Sequence, residues 1–268
     1  MDTKSKRPPY LSASQINQYT FCPLAYKYLY LDKVSKDNGS IYTAYGTAIH
    51  YALAKNFEQK IKSKKDLNAD DVVTFFKQKL DEERESMNGE TGYFVRSSTP
   101  WEDIELIGEN VVHAFMKEKA PLLKPKYVEM EFELKMKNFP IVLKGFIDLI
   151  TEDDIIIDYK TAGKNYKKDW TQARVDDSVQ FTIYSAAFRK MFKKKEQFIR
   201  AMILPRDHKP NFVDIDSGRS QEQVLKVLGM ATTIEEIIQS GIWIPNLNSC
   251  KKCPFNKTCP RQLIRENK

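Results

Sequence analysis

Nowhere does the 268-residue chain approach the roughly 18 to 20 uninterrupted apolar residues of a membrane-crossing helix. Met1 to Tyr10 is polar, holds two prolines and lacks an apolar signal core, so the protein is expected to stay in the cytoplasm with no membrane partner. Glycine and proline are scarce, 22 residues together, too few for a long linker. There is no internal repeat and no low-complexity tract, and at this length a multidomain motor does not fit. What remains is a soluble globular composition: 41% hydrophobic, 12% aromatic and 29% charged residues can build a sizeable core, and predominant disorder is excluded.

Cysteine is scarce too, and its placement is informative. Four cysteines in a chain expected in a reducing compartment argue against a disulfide framework. Cys250, Cys253 and Cys259 stand as C-x2-C-x5-C, and the fourth, Cys22, lies far upstream in Phe-Cys-Pro. Four soft thiolates suit either a tetrahedral zinc or an iron–sulfur cluster, and ligand type alone does not separate them. Either group would staple the N-terminal segment to the C-terminal one; the plainer alternative is four unrelated buried thiols.

The 43 Lys and Arg exceed the 36 Asp and Glu by +7, and the excess is uneven. Arg189 to Arg200 carries six basic residues against Glu196, and Cys250 to Lys268 six against Glu266, whereas Asp81 to Glu90 runs to −4. Such runs are ordinarily solvated helix faces. They gain a polyanion reading only if other features ask for nucleic acid.

Periodicity divides the chain into three stretches. Residues 11–119 read as mainly helical, with helices over Ser14 to Tyr30 (broken at Pro23), Thr43 to Lys62, Asp70 to Glu85 and Trp101 to Lys119, and a loop near Asn88 to Pro100. Residues 126–205 change period. Val128, Met130, Phe132, Leu134 and Met136 alternate with charged residues as in a half-exposed strand. Ile141 to Ile150 and Ile155 to Tyr159 are more continuously apolar, as in strands covered on both faces. Asp176 to Lys193 reads as helix, Gln197 to Leu204 as strand, and residues 206–268 as a helix over Gln221 to Gln239 followed by the cysteine cluster. The expected architecture is an α/β domain over 11–268, with residues 1–10 a flexible start.

Two carboxylates mark the centre. Asp148 ends Gly145-Phe146-Ile147-Asp148 and Asp158 begins Asp158-Tyr159-Lys160. If the two strands form an antiparallel hairpin, a three-residue loop at Glu152 to Asp154 sets Asp148 opposite Asp158; a two-residue loop would send them to opposite faces. Asp158 and Lys160 then share a face, with Tyr159 turned away. Paired carboxylates with apolar flanks are costly to bury without a cation, and hard oxygen ligands select Mg2+ or Mn2+. Such a metal with an adjacent lysine is what phosphodiester hydrolysis needs. Alone, the tripeptide would read as an exposed ion pair at a strand end. His50, in Gly46-Thr47-Ala48-Ile49-His50, is a further possible ligand or a structural histidine. Gln180 and Tyr184 are four apart and face one way on a helix, by packing or by function. His113 reads as structural and His208 as a loop residue.

Taken in order, Ser12 to Ile16 with Cys22-Pro23, Gly46 to His50, Gly145 to Asp148, Asp158 to Lys160, Gln180 to Tyr184 and Cys250 to Pro260 resemble the RecB-type branch of the PD-(D/E)XK nuclease superfamily. The likeness is to its iron–sulfur members, the CRISPR-associated RecB-like exonucleases and the AddB nuclease domain. It implies a restriction-endonuclease-like mixed sheet flanked by helices, with a helical N-terminal part and an iron–sulfur tail. By the same resemblance, His50, Asp148, Asp158 and the main-chain carbonyl of Tyr159 would bind Mg2+ or Mn2+. Lys160 would serve the attacking water, Gln180 and Tyr184 would hold the strand or order the site, and Cys22, Cys250, Cys253 and Cys259 would hold a 4Fe-4S cluster. Asp158 stands where many members carry glutamate.

The function expected is metal-dependent DNA exonuclease action on single strands or DNA ends, in recombination, repair or mobile-element processing. No G-x-x-x-x-G-K-[ST] loop occurs, so unwinding would fall to a helicase or a recombination or integration complex. The basic windows, with Lys251, Lys252, Lys257 and Arg261, would follow the strand, and Tyr26, Tyr28, Tyr30 and Tyr166 are candidates for base stacking or core. Competing readings are a DNA-end-binding module of the same fold acting with a partner complex, and a zinc-stapled RNA-processing nuclease.

Overall fold

A computed structural model describes residues 9–34, 40–88, 99–137, 139–256 and 259. Residues 1–8 of the expected flexible start, most of the loop between 88 and 100, the side chain of Met136, and Lys257, Pro260 and Arg261 lie outside them. Two compact units are formed, one from residues 39–132 and 146–220, the other from 1–38, 133–145 and 221–268.

The first unit holds three long helices, α3 (Ile41–Ser63), α4 (Ala69–Asn88) and α5 (Trp101–Glu118), then the sheet. Five strands, β1 (Pro125–Met136), β2 (Phe139–Thr151), β3 (Ile156–Ala162), β4 (Ile199–Pro205) and β5 (Val213–Ser217), lie in the order β1-β2-β3-β4-β5. The ends of β1 and β2, residues 133–136 and 139–145, belong to the second unit. β2 and β3 are antiparallel, β3 and β4 parallel, β4 and β5 antiparallel, so the sheet is mixed. Between β3 and β4 the chain crosses over through α6 (Tyr166–Asp169), α7 (Gln172–Asp176) and α8 (Val179–Phe192), as a parallel pair requires. The helix expected from Asp176 is broken at Asp177, because Ser178 caps α8 by accepting from the Phe181 N–H. β5 escapes a periodicity reading because it is a short edge strand carrying Asp214 and Asp216.

α3 owes its place to small residues. Ala44, Ala48 and Ala52 are fully buried at helical spacing, and a Cβ on Gly46 would come 3.1 Å from Thr161 Oγ1 of β3. The core joins this helix to α4, α5 and one face of the sheet through Phe57, Phe76, Phe115, Leu149, Ile157 and Tyr159. Of the proposed stacking residues, Tyr166 is buried here, its hydroxyl donating to the Asn211 carbonyl at 3.1 Å. Three of the six basic residues in the 189–200 window have acidic partners within the unit. Arg189 pairs with Glu196 at 2.7 Å, Arg200 with Asp216 at 2.7 Å, and Lys194 with Asp154.

The second unit contains α1 (Ala13–Phe21), α2 (Pro23–Tyr30) and α9 (Gln221–Ser240), with a 3-10 turn over Leu247–Lys252. The Leu11 N–H donates to the Val142 carbonyl at 2.9 Å, and Lys144 N–H to the Leu11 carbonyl at 3.0 Å, tying the chain's start to β2. Tyr26 is fully buried and stacks on Trp243, which makes it core, whereas Tyr28, edge-on against Phe255, and Tyr30 are partly buried. No helix among the described residues is long and apolar enough to cross a membrane.

Gly108 of α5 faces the Phe76 ring of α4 so closely that an added Cβ would lie 2.0 Å from Cζ. Phe76 is fully buried and cannot swing aside. Gly108→Ala is therefore expected to destabilise the protein by about 1–3 kcal/mol; an unchanged thermal midpoint would contradict this packing.

Candidate active site

The site grows from the turn between β2 and β3. Thr151 N–H donates to the Ile155 carbonyl at 3.0 Å, leaving a three-residue loop whose last member, Asp154, takes a left-handed φ of 59°. That is the three-residue hairpin loop with its closing left-handed residue. The register follows: Ile150 pairs with Ile156 and Leu149 with Ile157. One step on, Asp148 comes level with Asp158, the alternative that paired the carboxylates. Here the Tyr159 N–H donates to Asp148 Oδ2 at 2.8 Å, so the side chain takes a backbone donor of the neighbouring strand.

Both carboxylates are buried, Asp148 at 8% and Asp158 at 1% exposure. His50, on the third turn of α3, sets Nδ1 3.3 Å from Asp148 Oδ2. On the other side, Gln180 of α8 links three groups: it accepts from Lys160 Nζ at 2.8 Å and donates to Asp158 Oδ1 at 3.0 Å and to the Tyr184 hydroxyl at 2.6 Å. Lys160 Nζ lies 2.8 Å from Asp158 Oδ2, yet that buried oxygen has no hydrogen bond of proper direction. Tyr159 turns to the opposite face against Phe57 and Phe115. Gln180 and Tyr184 are thus part of the network that fixes Lys160 and Asp158. His113 and His208 lie elsewhere, 3.6 Å from Asp70 and 3.2 Å from Asp103.

One site residue escaped the sequence reading. Glu129 of β1 has a φ of 44°, and the inward-facing parity changes across it, from Pro125 to Phe132 and Leu134. A left-handed residue inside a strand is the local geometry of a bulge-type kink, which re-aims side chains. Ligand atoms of His50, Glu129 and Asp148 all lie within 4.8 Å of one another, the one such trio among the described residues. Strict alternation assigns Glu129 to solvent, so the only signal available was the density of acidic residues in Glu129, Glu131 and Glu133.

Proton affinities reflect the crowding. Burial raises Asp158 and outweighs the nearby Lys160, with Asp148 adding to the rise, so its carboxyl is pushed up to about 6. Burial and the charge of Asp148 push Glu129 up to about 7. Burial opposes charge on His50, but Asp148, by charge and hydrogen bond, lifts the imidazole to about 9. Asp148 is buried as well, and its His50, Lys160 and Tyr159 partners still hold it below the usual carboxylate range. His50, Glu129 and Asp148, with Asp158 beside them on the next strand, offer a nitrogen and hard oxygens that suit a divalent cation. His50 and Glu129 open onto a cleft lined further by Gly46, Thr47, Tyr51, Lys55, Glu58 and Lys79.

In the second unit, Cys22, Cys250, Cys253 and Cys259 line a single pocket with Leu24, Tyr28 and Phe255. All four are free thiols. Asn246 N–H points to Cys22 Sγ at 3.4 Å, and burial raises Cys253, with the other three thiols adding to the rise.

The chain is 25% identical to the gene 69 protein of Mycobacterium phage D29 over 94% of its own length and 97% of that protein. A solved Eubacterium rectale protein named as a candidate exonuclease shares its fold with a TM-score of 0.56 and 13% identity, over 93% of this chain and 88% of the other. The PD-(D/E)XK nuclease superfamily model matches residues 10–260, which contain the hairpin carboxylates, Lys160 and every residue gathered around them, and the chain belongs to that superfamily.

Proposed function

We propose that the protein is a metal-dependent DNA exonuclease that hydrolyses phosphodiester bonds on single strands or DNA ends. The observation that carries this reading is the buried Asp148–Asp158 pair, with the Lys160 ammonium 2.8 Å from Asp158 Oδ2. His50, Glu129, Asp148, Asp158 and the main-chain carbonyl of Tyr159 hold Mg2+ or Mn2+ in this proposal. When bound, the ion polarises a phosphoryl oxygen and acidifies water. Lys160 keeps its ammonium beside the reacting phosphate and stabilises the charge that develops there. Gln180, anchored by Tyr184, holds Lys160 and Asp158 in fixed relation, which makes it a positioning residue. Its place in this proposal is mobile-element, repair or recombination chemistry, with a helicase or integration complex supplying opened DNA.

Cys22, Cys250, Cys253 and Cys259 would hold a 4Fe-4S cluster with a structural role. Their convergence on one pocket supports this.

Lys160→Ala and Asp158→Asn are expected to lower kcat on a labelled single strand by about 10²–10⁴-fold with Mn2+, and retained activity in either would overturn the site. Blocked 5′ and 3′ ends and an RNA strand in the same assay report polarity and sugar preference. Metal binding must displace protons from His50, Glu129 and Asp158, whose folded pKa values lie at about 9, 7 and 6. Mn2+ affinity should therefore rise from pH 6 to pH 9, with proton release seen by calorimetry in two buffers; a flat profile contradicts the ligand set. Protein purified without oxygen should be brown and hold iron and sulfide, and Cys253→Ser should lose both. Stoichiometric zinc in their place would refute the cluster.

A further inference from the structure

The mechanism leaves one half-buried cation unused. β4 ends at Pro205, and Arg206 continues beside β3, its N–H donating to the Ala162 carbonyl at 2.7 Å. Its guanidinium lies over the Tyr42 ring of α3, 4.1 Å from the centroid. Nη2 is 3.6 Å from where a Cβ on Gly163 would be, so the glycine keeps that side open. A guanidinium carries five N–H donors in its plane, and a ring contact through Cζ uses none of them as a hydrogen bond to an acceptor oxygen.

Other arginines of this unit have acceptors. Arg189 has Glu196, Arg200 has Asp216, and Arg219 bonds Thr182 and the Val175 carbonyl. Among the described residues, Arg206 has no carboxylate at ion-pair distance and no side-chain hydrogen bond, while burial pushes its pKa below the ordinary arginine value. Nearby on α3, the Tyr45 hydroxyl is fully buried without a partner. The chain after Gly163 is basic, with Lys164, Lys167 and Lys168, and the nearest carboxylate of Lys164, on Asp207, is 3.9 Å away. A desolvated fork of donors without an acceptor calls for a bidentate oxyanion.

Position names the oxyanion. Tyr42, Gly46 and His50 are four apart along α3, so Arg206 stands about 12 Å along that helix from the metal-ligand end. Gly46 packs on Thr161 between them. We infer that Arg206, seated on Tyr42 beside Gly163, is a phosphate subsite that grips the substrate strand a few nucleotides from the bond to be cut. This rests on the nuclease reading. The phosphate is either an internal diester or a terminal monoester; both present paired oxygens.

The test is strand binding without divalent metal, followed by fluorescence anisotropy over a range of salt. The probes are 5′-phosphorylated, 3′-phosphorylated and unphosphorylated oligonucleotides. Arg206→Gln should raise Kd about ten-fold, equally for different base sequences. It should also reduce the slope of log affinity against log salt by about 0.7, the share of one phosphate contact on a single strand. Arg206→Met, which keeps the stem packed on Tyr42, should do the same, so a folding failure in one variant leaves the other to decide. A loss on all three probes assigns an internal diester, and a loss on one phosphorylated probe alone assigns that terminal phosphate. Unchanged affinity and slope on every probe overturn the subsite. Hydrolysis by the wild type with Mn2+ is scored separately: its absence alongside an Arg206 effect removes the nuclease reading and leaves the subsite standing, and the reverse result does the opposite.

Discussion

Asp148 and Asp158 stand level on adjacent strands in a region nearly closed to water, and everything near them can be understood as a response to that crowding. Two anions in low dielectric repel and lose hydration together. The fold answers with directed partners: the Tyr159 N–H and His50 for Asp148, Gln180 and Lys160 for Asp158. Gln180 takes one oxygen of Asp158 and the Lys160 ammonium lies beside the other. A core built for stability alone would have used apolar residues, so the retained charge points to chemistry.

The geometry rests on the three-residue turn. Because side chains alternate along a strand, a loop one residue shorter would leave Asp148 facing away from Asp158, and the His50 and Gln180 partners would no longer meet at one site. Asp154, in its left-handed conformation, closes that loop, and its carboxylate takes Lys194 and Lys126. Further support comes from α8, whose start is set by Ser178 and whose Thr182 is held by the buried Arg219. Gln180 and Tyr184 therefore meet β3 from a helix fixed at its first turn.

How far the sequence revealed this depends on the range of each signal. The hairpin carboxylates, Lys160 and the Gln180/Tyr184 face were legible because strand and helix periods are local. The break before α8 was legible in principle from Ser178. Glu129 was not, since its positive φ departs from the alternation that assigned it to solvent. In the basic window at 189–200 the sequence did not show that Arg189, Lys194 and Arg200 are answered by Glu196, Asp154 and Asp216. The α2 tyrosines likewise gave no sign that Trp243 and Phe255 would cover them.

The second unit draws on residues 1–38, 133–145 and 221–268, whereas the first needs nothing beyond residue 220. During synthesis the segments around the hairpin carboxylates are complete while Cys22 still lacks its three companion thiols. Contacts so distant in sequence form slowly and last. For that interval Cys22 is a solitary thiol, and the four-thiol pocket can close only once Cys250, Cys253 and Cys259 have been made. Maturation of the thiol pocket is thereby separated in time from assembly of the acidic cleft.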